Sequence, residues 1–227
     1  MEAPILITGC ARSGTSMTAG IIDHCGAFGG RLVMGGGRAN KKGFFENREI
    51  RDNLVKPYMM LCGADPLGQK PLPELNHLLP LGNLRSKVEQ IMKFQGYRSG
   101  PWYYKGAKLC LVWPTWHKAF PEAKWIVVRR KDDDVIYSCM RTGFMRAYRK
   151  PEGWQGWIDH HKKRFDEMRE DPSVNMVEVW PTKFVEGDFS EIRGVIEGLG
   201  LKWNDEAVKD FVSPELWRGK HGQSNSK

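Results

Sequence analysis

A glycine-bounded loop between two apolar stretches limits what this chain can fold into. Residues 9–16 read Gly-Cys-Ala-Arg-Ser-Gly-Thr-Ser. They follow the apolar run Ile5-Leu6-Ile7-Thr8 and open a stretch, Met17 to Cys25, with apolar residues at helical spacing. Strand, loop and helix in that order make a cradle for an anion. The first amides of a helix have no intrahelical partner, they converge on one spot, and the helix dipole adds partial positive charge there. Gly9 and Gly14 allow a sharp turn and a close approach, while Ser13, Thr15 and Ser16 add hydroxyl donors.

The loop departs from the ATP-binding pattern G-x-x-x-x-G-K-[ST], in which Lys reaches the β- and γ-phosphates and the next hydroxyl holds magnesium. The glycine spacing is kept, but Thr15 stands in the Lys position and the cation sits earlier, at Arg12. The expected ligand is an anion that lacks a β/γ pair and needs no metal.

The bulk properties narrow the partners. At 227 residues, one α/β domain over 1–217 with a helical or irregular insertion at about 46–100 is the default, followed by a tail, 218–227, without apolar residues and expected to be disordered. The net charge of +8 implies an anionic substrate or partner. The basic residues are spread along the chain with no zinc-finger or RNA-binding signature, so nucleic acid is not expected. Five cysteines without a C-x-x-C pair argue against a disulfide framework or a thiolate metal site, and fit a reducing, cytoplasmic compartment. No basic-then-apolar leader opens the chain. No apolar window reaches the roughly 18 residues of a membrane span.

Along the chain, seven glycines between Gly26 and Gly43 mark a loop near the cradle, read either as a lid or as a plain connection. A helix is expected from about Glu46 to Cys62, kinked or divided by Pro57. Residues 65–83 read as irregular, and Leu84 to Phe94 as an amphipathic helix. Trp102 to Lys105 is a short strand, and Leu109 to Ala119 is helical with an interruption at Pro114. The continuous apolar run Trp125 to Val128 is a strand buried on both faces. Asp132, Asp133 and Asp134 read as caps of a helix to about Arg141 rather than as a metal site. Helices over 153–169, 189–199 and 204–211, with a strand over 174–179, complete the pattern. Alternating strands and helices predict a three-layer α/β fold, P-loop-NTPase-like, with a mainly parallel central sheet and helices on both faces. Ligands of such sheets bind at the carboxyl ends of the strands. Three strand ends carry polar or basic clusters there: Arg12 to Ser16, Lys105 to Lys108, and Arg129-Arg130.

A metal-dependent nucleotide enzyme would carry an acid at the end of the second apolar strand. Here that position holds Arg129-Arg130. Positive charge suits a nucleotide with an additional phosphate away from the transferring end, within reach of Arg130 and Ser138 on either side of the Asp133 turn.

These residues resemble a known family, the sulfotransferases that use 3′-phosphoadenosine 5′-phosphosulfate. Residues 9–16 are similar to the family's loop for the 5′-phosphosulfate. Residues 130–138, Arg-Lys-Asp-Asp-Asp-Val-Ile-Tyr-Ser, resemble its 3′-phosphate motif, with Asp132 where Pro is common. Lys105-Gly-Ala-Lys and Phe120-Pro-Glu-Ala-Lys resemble its Lys-Asp-Pro-Arg segment and Phe-Pro-Asp-Ala turn, and Gly43-Phe-Phe-Glu an acidic motif of bacterial-type members. The resemblance covers residues 4 to 200, except 65–100. It implies metal-independent transfer of a sulfuryl group to a hydroxyl or amine of a small-molecule, carbohydrate or lipid acceptor. It also implies cofactor binding by Gly9, Arg12, Ser13, Gly14, Thr15, Ser16, Arg130 and Ser138, and catalysis by Arg12, Lys105 and Glu46.

Glu46 is the favoured base, with His24 and Glu49 as alternatives, and Trp102, Trp113 and Trp157 are candidates to stack on adenine or an acceptor ring. Two other readings stay open: a P-loop small-molecule kinase, disfavoured by Thr15 and by Arg129-Arg130, and a non-enzymatic nucleotide- or nucleic-acid-binding module, supported by charge alone.

Overall fold

A computed structural model describes residues 1–34, 40–217 and 219. Four parallel strands form one sheet, in the order β2-β1-β3-β4. The elements run β1 (Ile5–Gly9), α1 (Thr15–His24), a π-helix (Ile50–Val55), α2 (Lys56–Leu61), α3 (Leu84–Phe94), β2 (Tyr103–Lys105), α4 (Trp113–Ala119), β3 (Lys124–Val128), α5 (Asp132–Met140), α6 (Pro151–Glu170), β4 (Met176–Val179), α7 (Pro181–Val185), α8 (Ser190–Gly198) and α9 (Asp205–Phe211). The register sets Ile7 beside Lys105 and Gly9 beside Val128, so the carboxyl ends of β1, β2 and β3 lie along one edge.

Both faces of the sheet are covered, and the central strands are buried from Ile5 to Gly9 and from Trp125 to Val128. Leu6, Tyr104, Trp125 and Val127 point into one layer with Trp116, Trp154, Phe165, Val88 and Ile50. Ile5, Ile7, Tyr103, Ile126 and Val128 point into the other with Ile21, Ile22, Ile192, Ile196 and Phe211. This is the three-layer α/β architecture expected from the alternating pattern. Within the segment 46–100, Ile50, Val55, Leu84 and Val88 join the first layer. No helix among the described residues is long and apolar enough to cross a membrane. All five cysteines are free.

Several boundaries differ from expectation for local reasons. Pro57 divides its helix, but by widening it. The turn before α2 is a π-helix, and the Lys56 amide reaches back to Arg51 O. A proline ring clashes with the carbonyl four residues earlier, and a wider turn relieves that clash. Pro114 separates a 3-10 turn (Ala107–Val112) from α4 in the same first-turn role. Helix α7 was absent from the sequence reading: it is 5 residues long, too short to show a period. The acids at 132–134 lie in the first turn of α5 with Lys131 as N-cap, and no side chain caps that helix.

Thr8 couples the sheet to the turn after β2. Its hydroxyl donates to Ala107 O (3.2 Å) and accepts from the Cys110 amide (3.0 Å), at a fully buried position. The isosteric Thr8→Val takes the Thr8 oxygen from the Cys110 amide and leaves Ala107 O with the Cys110 thiol (3.4 Å), at a cost of about 1–3 kcal/mol. Urea unfolding should show that loss with an unchanged slope; an unshifted midpoint would mean the turn does not lean on β1.

Candidate functional site

The cradle begins where β1 ends. Gly9 has φ +152°, and a Cβ there would lie 2.5 Å from Val128 O, so only glycine lets β1 and β3 run together at this point. The chain turns through Ser13 N–H to Cys10 O (3.1 Å). Arg12 takes φ +74°, a left-handed conformation rare for a side-chain-bearing residue. Gly14, φ +101°, is the N-cap of α1, and no side chain caps the helix and no acid sits in its first turn. The first-turn amides and the positive dipole end therefore face the loop. Ser13 Oγ is buried beside them with no hydrogen-bond partner among the described residues, and such a group ordinarily has one.

The second cluster comes from β3 and α5. Arg130 Nη1 donates to Arg12 O (2.9 Å), and Arg12 Nε donates to Ser138 Oγ (2.9 Å). Asp134 and Ser138 stand four apart on one buried face of α5, and Asp134 approaches Arg130 at 3.9 Å. Burial, with a smaller contribution from nearby Arg12, lowers the Arg130 pKa to about 10, while Asp134 opposes that shift. The Trp217 ring lies 3.8 Å from the Arg130 guanidinium carbon. Arg129 does not join this cluster. It turns to Glu178 (2.7 Å) and the Phe165 and Trp180 rings, because neighbouring residues at a strand end face opposite sides. Asp132 also turns away, to Lys162 and Gln155.

The third cluster joins β2 to the segment before the π-helix. Lys105 Nζ donates to Glu46 Oε1 (3.0 Å), and both residues are buried. Arg51 stands 3.9 Å from the other carboxylate oxygen. Burial pushes the Glu46 carboxyl up, and Lys105, Lys108 and Arg51 together pull it down further, so its pKa lies below the ordinary value. Glu46 does not cap the helix; Asn47 does, through Oδ1 to the Ile50 amide (3.2 Å). The cradle reaches this cluster through Ser16, whose hydroxyl donates to Phe44 O (3.2 Å). Phe45, φ +53°, makes the turn that aims Glu46 inward.

The alternative bases lie elsewhere. His24 is at the far end of α1, about 15 Å from the loop by helix rise, with its ring against Phe211. Glu49 pairs with Arg31 at 3.7 Å. His161 is buried in the core, its pKa pushed down to about 3 by burial. Trp102, Trp113 and Trp157 belong to the core layer, and the Trp157 indole donates to Gly68 O (2.9 Å).

A cleft opens in front of α1, between the cradle, Arg130, the strip Asn40 to Gly43, and Phe211 to Trp217. Sequence reasoning missed the second wall. Trp217 packs over Gly14, and Lys42 donates to Asp210 O (3.0 Å) and Phe211 O (2.6 Å). The only sequence sign was a tryptophan just before the polar tail. Gly35 to Gly37, the centre of the expected lid, lie outside the described residues. Its flanks are pinned, with Leu32 bridging Asn47 and the Phe44 amide on Val33 O (2.9 Å).

The Glu46 pair has a pH signature. Its folded carboxyl titrates below the ordinary 4.5, so its stabilisation is complete above that value and is lost as pH falls through the folded pKa. Glu46→Gln should flatten the fall in urea midpoint below about pH 5. At pH 7 it should cost about 3 kcal/mol, because Lys105 is left buried without its partner. Parallel profiles for the two proteins would mean the pair contributes nothing.

No protein-family model matches the chain, and no curated protein matches it. Among solved structures it is similar to sulfotransferase STF1 from Mycobacterium tuberculosis H37Rv, with a TM-score of 0.52 at 13% identity over 94% of this chain and 71% of that one. It is also similar to sulfotransferase STF9 from Mycobacterium avium, with a TM-score of 0.54 at 15% identity over 92% of this chain and 67% of that one. At these identities the likeness is one of fold: a sulfotransferase-type, P-loop-like α/β architecture.

Proposed function

We propose that the protein is a sulfotransferase that uses 3′-phosphoadenosine 5′-phosphosulfate and transfers its sulfuryl group, without a metal, to a hydroxyl or amine of a small-molecule, carbohydrate or lipid acceptor. The observation that carries this reading is the tie among Arg12, Arg130 and Ser138. It holds two guanidinium groups together beside an uncapped helix end. Such a concentration of donors fits a ligand with anionic groups at two separate points.

The residues present fit that cofactor. Ser13 Oγ is an orphaned buried donor facing the loop. Gly9, Ser13, Gly14, Thr15 and Ser16, with Arg12, would hold the 5′ end, and Arg130 with Ser138 the 3′-phosphate. The bound cofactor would supply the sulfuryl group and a phosphate leaving group.

The protein's own groups define the rest. Arg12 and the first-turn amides stabilise negative charge developing beside the loop. Loss of one such donor typically costs about 10² to 10³ in rate. Lys105 holds Glu46 ionised at neutral pH, ready to accept the proton that an acceptor hydroxyl loses. Its lowered pKa makes it a weak base, so transfer is favourable only as the acceptor oxygen becomes acidic during bond formation.

Isothermal titration with 3′-phosphoadenosine 5′-phosphate tests the reading. Wild type should bind in the presence of EDTA, and Arg130→Ala should bind roughly tenfold more weakly or worse. Equal affinities would remove Arg130 from the site. Glu46→Gln should keep that affinity and lose about 10² to 10⁴ in turnover; undiminished turnover would place the base elsewhere.

A further inference from the structure

The Lys105–Glu46 pair sits in a larger set of charges at the end of β2. Arg51 grips Asp52 through Nε (2.9 Å) and Nη2 (2.8 Å), and Lys56 closes on the same carboxylate at 2.8 Å. Glu46 takes Lys105 at 3.0 Å and Arg51 at 3.9 Å. Lys108, on the 3-10 turn after β2, belongs to the same field, with Glu46 the one carboxylate that acts on it, but makes no close ion pair or hydrogen bond among the described residues. It is only 9% exposed, and its Cβ backs onto Gly68, where an added Cβ would come within 3.1 Å of it. Four cations thus face two carboxylates in a largely buried setting.

A lysine this enclosed, set among three other cations, is unfavourable as a charge. Burial pushes the Lys108 pKa down, as do Lys105, Lys56 and Arg51, with Glu46 alone opposing. The position is also fixed. The turn is bolted to β1 by Gly106 N–H to Ile7 O (2.9 Å) and by the two Thr8 bonds, so Lys108 stands at a set place along the edge that carries the cradle.

Resting on the sulfotransferase reading, we propose that Lys108 receives an oxyanion on the acceptor. The molecule that takes the sulfuryl group carries an acid group as well as its hydroxyl or amine. The surplus positive charge beside Glu46 recognises that acid, and neutral analogues have no charge to balance it. The acid group is held apart from the anions of the cradle, which Arg12 and Arg130 serve.

The test uses thermal unfolding of wild type and Lys108→Met with three probes, benzoate, benzamide and inorganic sulfate, at fixed ionic strength, with and without saturating 3′-phosphoadenosine 5′-phosphate. Wild type should gain a few degrees with benzoate at concentrations well above its Kd and nothing with benzamide. Lys108→Met should be at least as stable as wild type without ligand and lose the benzoate response. A benzoate response equal in both proteins, or absent from wild type, overturns the proposal. A response to sulfate alone that Lys108→Met abolishes also overturns it, because Lys108 would then serve the transferred group. Should the adenosine bisphosphate fail to bind wild type, the sulfotransferase reading falls, while the benzoate comparison still reads Lys108 on its own.

Discussion

Two guanidinium groups of like charge are held side by side at the end of β1, and much of the site follows from that constraint. Arg12 presents its side chain from a left-handed backbone, a conformation that costs on the order of 1–3 kcal/mol. It persists because Arg130 donates to its carbonyl and Ser138 accepts from its Nε. Two residues more than a hundred positions away, one after β3 and one on α5, thereby fix it. In return Arg130 is buried beside a like charge and loses basicity. Strain and repulsion concentrated at one point are the usual mark of a place prepared for a ligand.

The sheet divides the labour between its faces. On the side of α1, α8 and α9 lies the cleft walled by Phe211 and Trp217. On the side of the π-helix and the turn after β2 lies the charged set around Glu46. The strand ends separate them, and the Ser16–Phe44 bond joins them. A group held by the cradle and a group held near Lys105 would thus meet at the edge of the sheet, where the parallel register brings β1 and β2 level.

Legibility in the sequence followed the range of the forces involved. The cradle, β3 and α3 were readable because a glycine, an apolar run or a helical period is a local signal; α3 was expected at Leu84 to Phe94 and is found there. Arg12, Ser138 and Arg130 could be grouped as strand-end residues, but the bonds among them span more than a hundred residues and had no local trace. The direction of Arg129 depended on Glu178, supplied by β4. Trp217 and Lys42, which wall the cleft, come from segments without periodicity. Asp134 looked like one of three equivalent first-turn acids, and only helical phase against Arg130 sets it apart.

Glu46 shows how burial and charge pull a candidate base in opposite directions. Burial alone would raise its pKa and make it a stronger proton acceptor. Lys105, Arg51 and Lys108 overcome that effect and keep it ionised. A carboxylate so surrounded is less basic, but it is also fixed in place and deprotonated at neutral pH. Orientation by a salt-bridged lysine can be worth more than basicity when the proton leaves an oxygen that is already turning acidic. The same cations that weaken Glu46 as a base make its neighbourhood attractive to an anion. The proposed base and the charge that would position an acceptor therefore belong to one electrostatic arrangement, and removing either side alters the other.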